Sequence, residues 1–291
     1  MSLSIGYYPG CSGQGTSIEY EQSTRTVFAR LGIALSEIPD WSCCGSTPAH
    51  TVNHVLSAAL SARNLELAAK AGMETVTTPC PSCLTNLRTA SHKMENEAFR
   101  AEVAELLETE CSSLAEIKST LQVLVEDFGI DAIKAKMTRP LEGLRVACYY
   151  GCIMNRPKEL MQFDDPEHPM AMDNIMKACG AEVLPFPLKV ECCGASAGIP
   201  RKDIVAELSG RLLDAAALLG VDAVVTACPL CQMNLDLRQS QANAARGTNH
   251  QMPVFYYTQL MGLAMGLSAE DMGLSKLCVD PNPCLKRAGV L

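Results

Sequence analysis

No stretch of the chain approaches the roughly eighteen consecutive apolar residues that a membrane-spanning helix needs. The N-terminus, MSLSIGYYPGCSGQG, lacks the charged n-region and long apolar h-region of a secretory signal, so the expected compartment is the cytoplasm. Lys- and Arg-rich runs are absent too. With a formal net charge of −8 and a pI near 5.2, nucleic acid is not an expected partner. Neither G-x-x-x-x-G-K-[ST] nor G-x-G-x-x-G after a strand occurs, so no flavin or nucleotide of its own is expected. The tight CxxCxxCxxxC run of bacterial ferredoxins is also missing.

Cysteine is what the sequence has: fifteen in 291 residues. A reducing compartment disfavours a disulfide scaffold, which leaves metal ligation as the leading explanation. The chain is also long enough for two domains that bury ordinary cores. It repeats itself. GMETVTTPCPSCLTNL from Gly72 to Leu87 answers GVDAVVTACPLCQMNL from Gly220 to Leu235, an offset of 148 residues. Cys43-Cys44-Gly45 answers Cys192-Cys193-Gly194, and Tyr7-Tyr8-Pro9-Gly10-Cys11 answers Tyr149-Tyr150-Gly151-Cys152. Each copy thus carries a single cysteine, a CCG tripeptide and a CxxC. Residues 1–140 are expected to form one domain, with a helix-rich extension from about residue 88, and residues 141–291 a second, with the boundary near Thr138-Arg139-Pro140.

Short β-rich runs precede the three cysteine groups: SIGYY, IALSEI and ETVTT in copy one, and RVACYY, AEVLPF and DAVVTA in copy two. Helical stretches at Thr16–Leu31, Val52–Ala71 and Lys202–Leu219 separate such runs. Alternation of this kind predicts an α/β fold with right-handed crossovers and a parallel, Rossmann-like sheet in each half, and the duplication would relate the two tandem halves by a pseudo-twofold axis. The cysteine groups then lie just beyond strand carboxyl ends, where open α/β sheets place ligands. Each CxxC opens a helix with Pro81 or Pro229 in its first turn. A glycine after each CC pair permits the backbone torsions that would aim two adjacent thiols at one metal core.

Five thiols per copy exceed the four ligands of tetrahedral zinc. Iron–sulfur ligation fits best, while zinc in one copy and redox dithiols are the alternatives. Both copies resemble the cysteine-rich CCG domain, and the whole chain resembles the B subunit of heterodisulfide reductase, with the Cys-x-Met-Asn-Arg-Pro motif from Cys152 to Pro157 adding to the likeness. The resemblance implies two non-cubane [4Fe–4S] clusters. Cys11, Cys43, Cys44, Cys80 and Cys83 would hold the first, and Cys152, Cys192, Cys193, Cys228 and Cys231 the second. It further implies a catalytic subunit that cleaves a disulfide of thiol coenzymes between the two clusters, one electron coming from each. The electrons would arrive from a flavin-containing subunit (A-like) through a ferredoxin-like iron–sulfur subunit (C-like). A non-catalytic electron-transfer or adaptor role in another redox complex is the alternative.

Other residues carry weaker expectations. Arg156, Lys158, Lys189, Arg201 and Lys202 could counter a substrate's anionic groups, although solvated surface charge explains each one as well. His50 and His54, four residues apart on an expected helix, could deliver protons. Cys111, Cys148, Cys179, Cys278 and Cys284 stand outside the repeat and read as buried structural thiols. Met261 and Met265 read as core or interface filling.

Overall fold

The computed structural model describes residues 3–46, 48–111 and 113–291, and the side chains of all of these except residues 48 and 50. Two four-stranded parallel sheets are present. The first contains β1 (Leu3–Tyr7), β2 (Ile33–Glu37), β3 (Thr75–Thr78) and β4 (Glu116–Ser119), in the order β2-β1-β3-β4. The second contains β5 (Arg145–Tyr149), β6 (Glu182–Val183), β7 (Ala223–Thr226) and β8 (Val254–Tyr256), in the matching order β6-β5-β7-β8. Every strand pair is parallel, as helix-length connections require.

Six strands fall on the six β-rich runs. The other two, β4 and β8, have no such run, and β4 interrupts residues 88–140, which are otherwise helix-rich as expected. Helices at Pro81–Lys93 and Glu97–Leu107 give way to β4, which pairs with β3 as β8 pairs with β7. The extension therefore does have a partner in the second copy.

The expected helices occur at Ile18–Leu31, His54–Lys70 and Lys202–Leu219. The second starts where the Asn53 side chain accepts hydrogen bonds from the Val55 and Leu56 N–H groups, satisfying two otherwise orphan donors. Its buried face, with Ser57, Ala58, Ser61, Ala62 and Leu65, is made largely of small residues, and it packs closely on the helix that follows the first CxxC.

One apolar core runs through both halves, joining Ile5, Phe28 and Leu124 to Val146, Phe255 and Leu285. At its centre the Tyr20 ring stacks on Tyr256, with centroids 4.0 Å apart and planes 3° from parallel. Three polar contacts fasten the same region. Tyr20 Oη donates to the Ala227 carbonyl at 3.2 Å, Tyr257 Oη to Thr120 Oγ1 at 2.9 Å, and the Ser23 and Thr258 hydroxyls meet at 2.8 Å. The methionines Met261 and Met265 lie in this core as expected. Cys111, Cys148, Cys179 and Cys284 are buried, whereas Cys278 is exposed and departs from the expectation. Among the described residues no helix is long and apolar enough to cross a membrane.

Candidate metal centres

Each cysteine group sits where a strand ends. Cys11 lies in a short helix after β1, Cys43 and Cys44 follow β2, and Cys80 is the N-cap residue of the helix Pro81–Lys93 that holds Cys83 in its first turn. In the second half Cys152 follows β5, Cys192 and Cys193 follow β6, and Cys228 caps the helix Pro229–Leu235 that contains Cys231. The structure thus brings all five cysteines of each copy to one sheet edge. Cys44 Sγ lies 3.4 Å from Cys83 Sγ, and the matching pair Cys193 and Cys231 lies 3.8 Å apart.

The backbone around these thiols is shaped for them. Gly45 and Gly194 adopt φ of 75° and 83°, and their N–H groups turn back to Cys43 Sγ (3.5 Å) and Cys192 Sγ (3.2 Å). Gly10 and Gly151 also have positive φ. A Cβ on Gly10 would stand 3.0 Å from Cys83 Sγ, and one on Gly151 2.9 Å from Cys231 Sγ. Both positions need glycine for torsion and for room.

Crowded together, the thiols differ sharply in acidity. Hydrogen bonds from Cys43 and Cys83 pull Cys44 down to about 4, and a hydrogen bond from Cys152 pulls Cys192 down to about 5. Cys193 falls to about 7, chiefly through its bond from Cys231. The donating thiols Cys43, Cys83, Cys152 and Cys231 are pushed up. These hydrogen bonds favour the thiolate form at Cys44, Cys192 and Cys193, and thiolates are what metal ligation requires. Among the described residues no group of three or more His, Cys, Asp or Glu side chains is arranged to hold a single metal ion. The chemistry of the donor set, five thiols at one sheet edge, fits an iron–sulfur group.

Behind the thiols lies a layer of polar residues that the cysteine spacing gives no hint of. The Tyr8 and Tyr149 hydroxyls donate to the carbonyls of Ser42 (2.7 Å) and Glu191 (2.8 Å), each the residue before its CC pair. The structure therefore matches Tyr8 with Tyr149, the register that the Gly-Cys ends of the two runs also give. Ser61 Oγ and Asn86 Nδ2 donate to the Cys44 carbonyl at 3.0 and 2.7 Å. Ser209 Oγ and Asn234 Nδ2 donate to the Cys193 carbonyl at 3.1 and 3.4 Å. Both asparagines stand in the CPSCLTNL and CPLCQMNL repeats, and both serines recur at the same offset of 148 residues. Their recurrence is the signal that the sequence does carry for this layer.

The two sets open onto different spaces. Cys11 and Cys43 line a cleft of about 650 Å³ beside Glu37, Asp40 and Trp41. Cys152 and Cys192 line a second cleft of about 640 Å³ between the halves, whose facing wall carries Ser46, Ser57, Ser82 and Asn86 from copy one. The expected counter-charges are mostly committed elsewhere. Lys189 is buried and bound to Asp173 Oδ1 at 2.9 Å and the Pro169 carbonyl at 2.8 Å. Arg156 pairs with Glu167 at 2.6 Å, and Arg201 with Asp203 at 2.6 Å. The interdomain cleft offers His54 and Lys93 instead. His50 is placed in a short helix, but its side chain lies outside the described residues.

Comparison with known proteins agrees with this architecture. The family profile of the cysteine-rich CCG domain matches residues 5–88 and 146–236. The 8-methylmenaquinol:fumarate reductase membrane anchor subunit of Wolinella succinogenes is 34% identical over 96% of this chain and 98% of its own. The B subunit of the ferredoxin:CoB-CoM heterodisulfide reductase of Methanosarcina mazei is 29% identical over 95% of this chain and 94% of its own. A hypothetical protein from Helicobacter pylori shares the fold, with a TM-score of 0.73 at 13% identity over 96% of this chain and 52% of that one. With two copies of the five-cysteine motif at two matching sheet edges, the chain belongs to the CCG cysteine-rich domain family, as a tandem member alongside the heterodisulfide reductase B subunits.

Proposed function

We propose that the chain is the iron–sulfur catalytic subunit of a multi-subunit redox complex, and that it reductively cleaves a disulfide in the cleft between its halves. Support for an iron–sulfur redox subunit comes from the family and from the two thiol sets. The disulfide specificity rests on one observation. The interdomain cleft is walled on one side by Cys152 and Cys192, and on the other by copy-one residues that include Ser82, the neighbour of Cys83, and Asn86, which donates to the Cys44 carbonyl. In this reading Cys11, Cys43, Cys44, Cys80 and Cys83 hold one non-cubane [4Fe–4S] cluster and Cys152, Cys192, Cys193, Cys228 and Cys231 the other, with the halves dividing near residue 140.

When bound, the clusters supply electrons one at a time. A disulfide takes up two electrons and two protons and leaves as two thiols. His54 and Lys93, on the cleft wall, bring the protons and balance a substrate anion. The ten motif cysteines are committed to iron, so attack by a free protein thiolate is not part of the scheme. A flavin protein and a ferredoxin-like protein of the same complex deliver the electrons, and the complex works at the cytoplasmic side.

The deciding experiment is anaerobic purification with iron and sulfide counts, followed by disulfide reduction driven by a low-potential dye. About eight of each per chain, with turnover lost in Cys193→Ser, is the expected result. Turnover that survives in both Cys44→Ser and Cys193→Ser would sink the proposal.

A second reading draws on the composition of the cleft. Much of its lining is apolar, with Ile153, Ile204, Leu208 and Leu230, and His54 and Lys93 are the cationic side chains on it. That suits an uncharged redox partner such as a quinone better than a polyanionic coenzyme. A relative named for methylmenaquinol:fumarate reduction points the same way. Oxidation of the dye-reduced chain by a naphthoquinone but by no disulfide would favour this relay role.

A further inference from the structure

Among the differences between the two copies, one reaches the sulfur through a side-chain amide. In copy one, Asn86 spends its side-chain N–H groups on oxygens, the Cys44 carbonyl at 2.7 Å and Ser57 Oγ at 3.3 Å. The residue matching Ser57 in copy two is Val205, at the repeat offset of 148. The structure supports this match independently. A Cβ on Gly45 would lie 3.5 Å from Ser57 Cα, and one on the equivalent Gly194 would lie 3.1 Å from Val205 Cα. Valine accepts no hydrogen bond. Asn234 instead directs its amide to the Cys193 carbonyl at 3.4 Å and to Cys193 Sγ at 3.5 Å.

The orientation of that amide is determined by its surroundings. Turning it over would set Oδ1 against the Cys193 carbonyl, acceptor facing acceptor. Held as it is, Asn234 is fully buried and its Oδ1 has no hydrogen-bond partner among the described residues. A buried acceptor without a partner is costly, so the amide is held in this orientation by its donor contacts to Cys193.

Hydrogen bonds to cluster-ligating sulfur stabilise the more negative, reduced state and raise the reduction potential. We infer that Asn234, freed by Val205, raises the potential of the second site above that of the first, so that electrons entering the pair settle at the site that opens onto the interdomain cleft. Asn234 is thus a positioning residue that biases the direction of electron flow. Asn86, held back by Ser57, leaves the first site as the donor. The step oxidises the first cluster by one electron and reduces the second by one, with no bond made or broken. This inference rests on the reading that each thiol set holds an iron–sulfur cluster.

The test exchanges the two residues. In the full chain, loaded anaerobically with iron and sulfide, the midpoint of each site is followed by potentiometric titration with electron paramagnetic resonance. Cys44→Ser and Cys193→Ser chains assign the signals. Unmodified protein should show the second site at the higher midpoint. Val205→Ser, which restores the hydroxyl of copy one, should lower the second site by a roughly tenfold change in its reduced-to-oxidised ratio at fixed potential, about 59 mV for one electron. Ser57→Val should raise the first site. Val205→Thr repeats the measurement with almost the shape of valine, should the serine variant load poorly. Second-site midpoints left unmoved by Val205→Thr and Asn234→Leu, with iron and sulfide contents intact, overturn the inference alone. A chain that takes up no iron overturns it together with the cofactor assignment.

Discussion

In the first half of the molecule the outer thiols Cys11 and Cys43 face a cleft at Trp41, while in the second half Cys152 and Cys192 face the space between the halves. The inner parts of the two sites are nearly interchangeable. Serine and asparagine hold the carbonyl of Cys44 as they hold that of Cys193, and a tyrosine hydroxyl braces the residue before each CC pair. What repeats is therefore the grip on the sulfurs, and what differs is what each site can touch. A duplicated cofactor site can take on two jobs without changing a ligand.

The strongest way to break this comparison is to remove one grip at a time. Cys44→Ser and Cys193→Ser should each cut iron content to about half, since loss of a thiolate ligand unloads the metal it holds. Iron analysis checks this, and a loss of both sites from either change would mean that the halves do not load independently. Next in size is Tyr20→Ala, which removes the ring stacked on Tyr256. Truncating a buried aromatic of this kind should cost about 3–5 kcal/mol in denaturant unfolding, and the loss should destabilise both halves alike.

Smaller effects sharpen the picture. Gly10→Ala and Gly151→Ala each place a methyl group about 3 Å from a sulfur at a left-handed backbone position. Each should destabilise by about 1–2 kcal/mol and lower metal loading in its own half only. Smallest is Asp222→Asn. Asp222 accepts from the Arg145 N–H at 3.0 Å and Nε at 3.2 Å. Burial pushes its carboxyl up, but the hydrogen bonds from Arg145 outweigh this and leave it below the usual value. The carboxylate therefore stabilises the fold above its unfolded pKa near ~3.9, and the contribution fades as pH falls through the lower folded value. The asparagine variant should lose about 1 kcal/mol at neutral pH and show a flatter acid limb in urea titrations.

Much of this was legible in the sequence because the cysteine spacing and the β-rich runs repeat. Six strands and all ten clustered thiols follow from that repeat. The strands β4 and β8 did not, for physical reasons. EIKS is polar on alternate positions and short, and VFY runs straight into the helix Tyr257–Ala264, so neither offers a period long enough to detect. Two adjacent tyrosines in each copy allow two alignments, and the Gly-Cys that follows them selects the match of Tyr8 with Tyr149 that the hydroxyl partners bear out. Charge was the least legible feature. Lys189 and Arg156 carry no mark in the sequence that they are tied to Asp173 and Glu167, since those partners lie 16 and 11 residues away, the first of them on the helix Ala171–Ala178.

The apolar core common to both sheets has a further consequence. A cut near residue 140 would leave each fragment with a broad face of unpaired hydrophobic surface, from Phe28 and Leu124 on one and Phe255 and Leu285 on the other. Neither copy is then a self-sufficient module, whatever its ancestry. The duplicated chain should melt in a single calorimetric transition, and a lineage that has fused its repeats in this way can no longer trade one of them for a different partner.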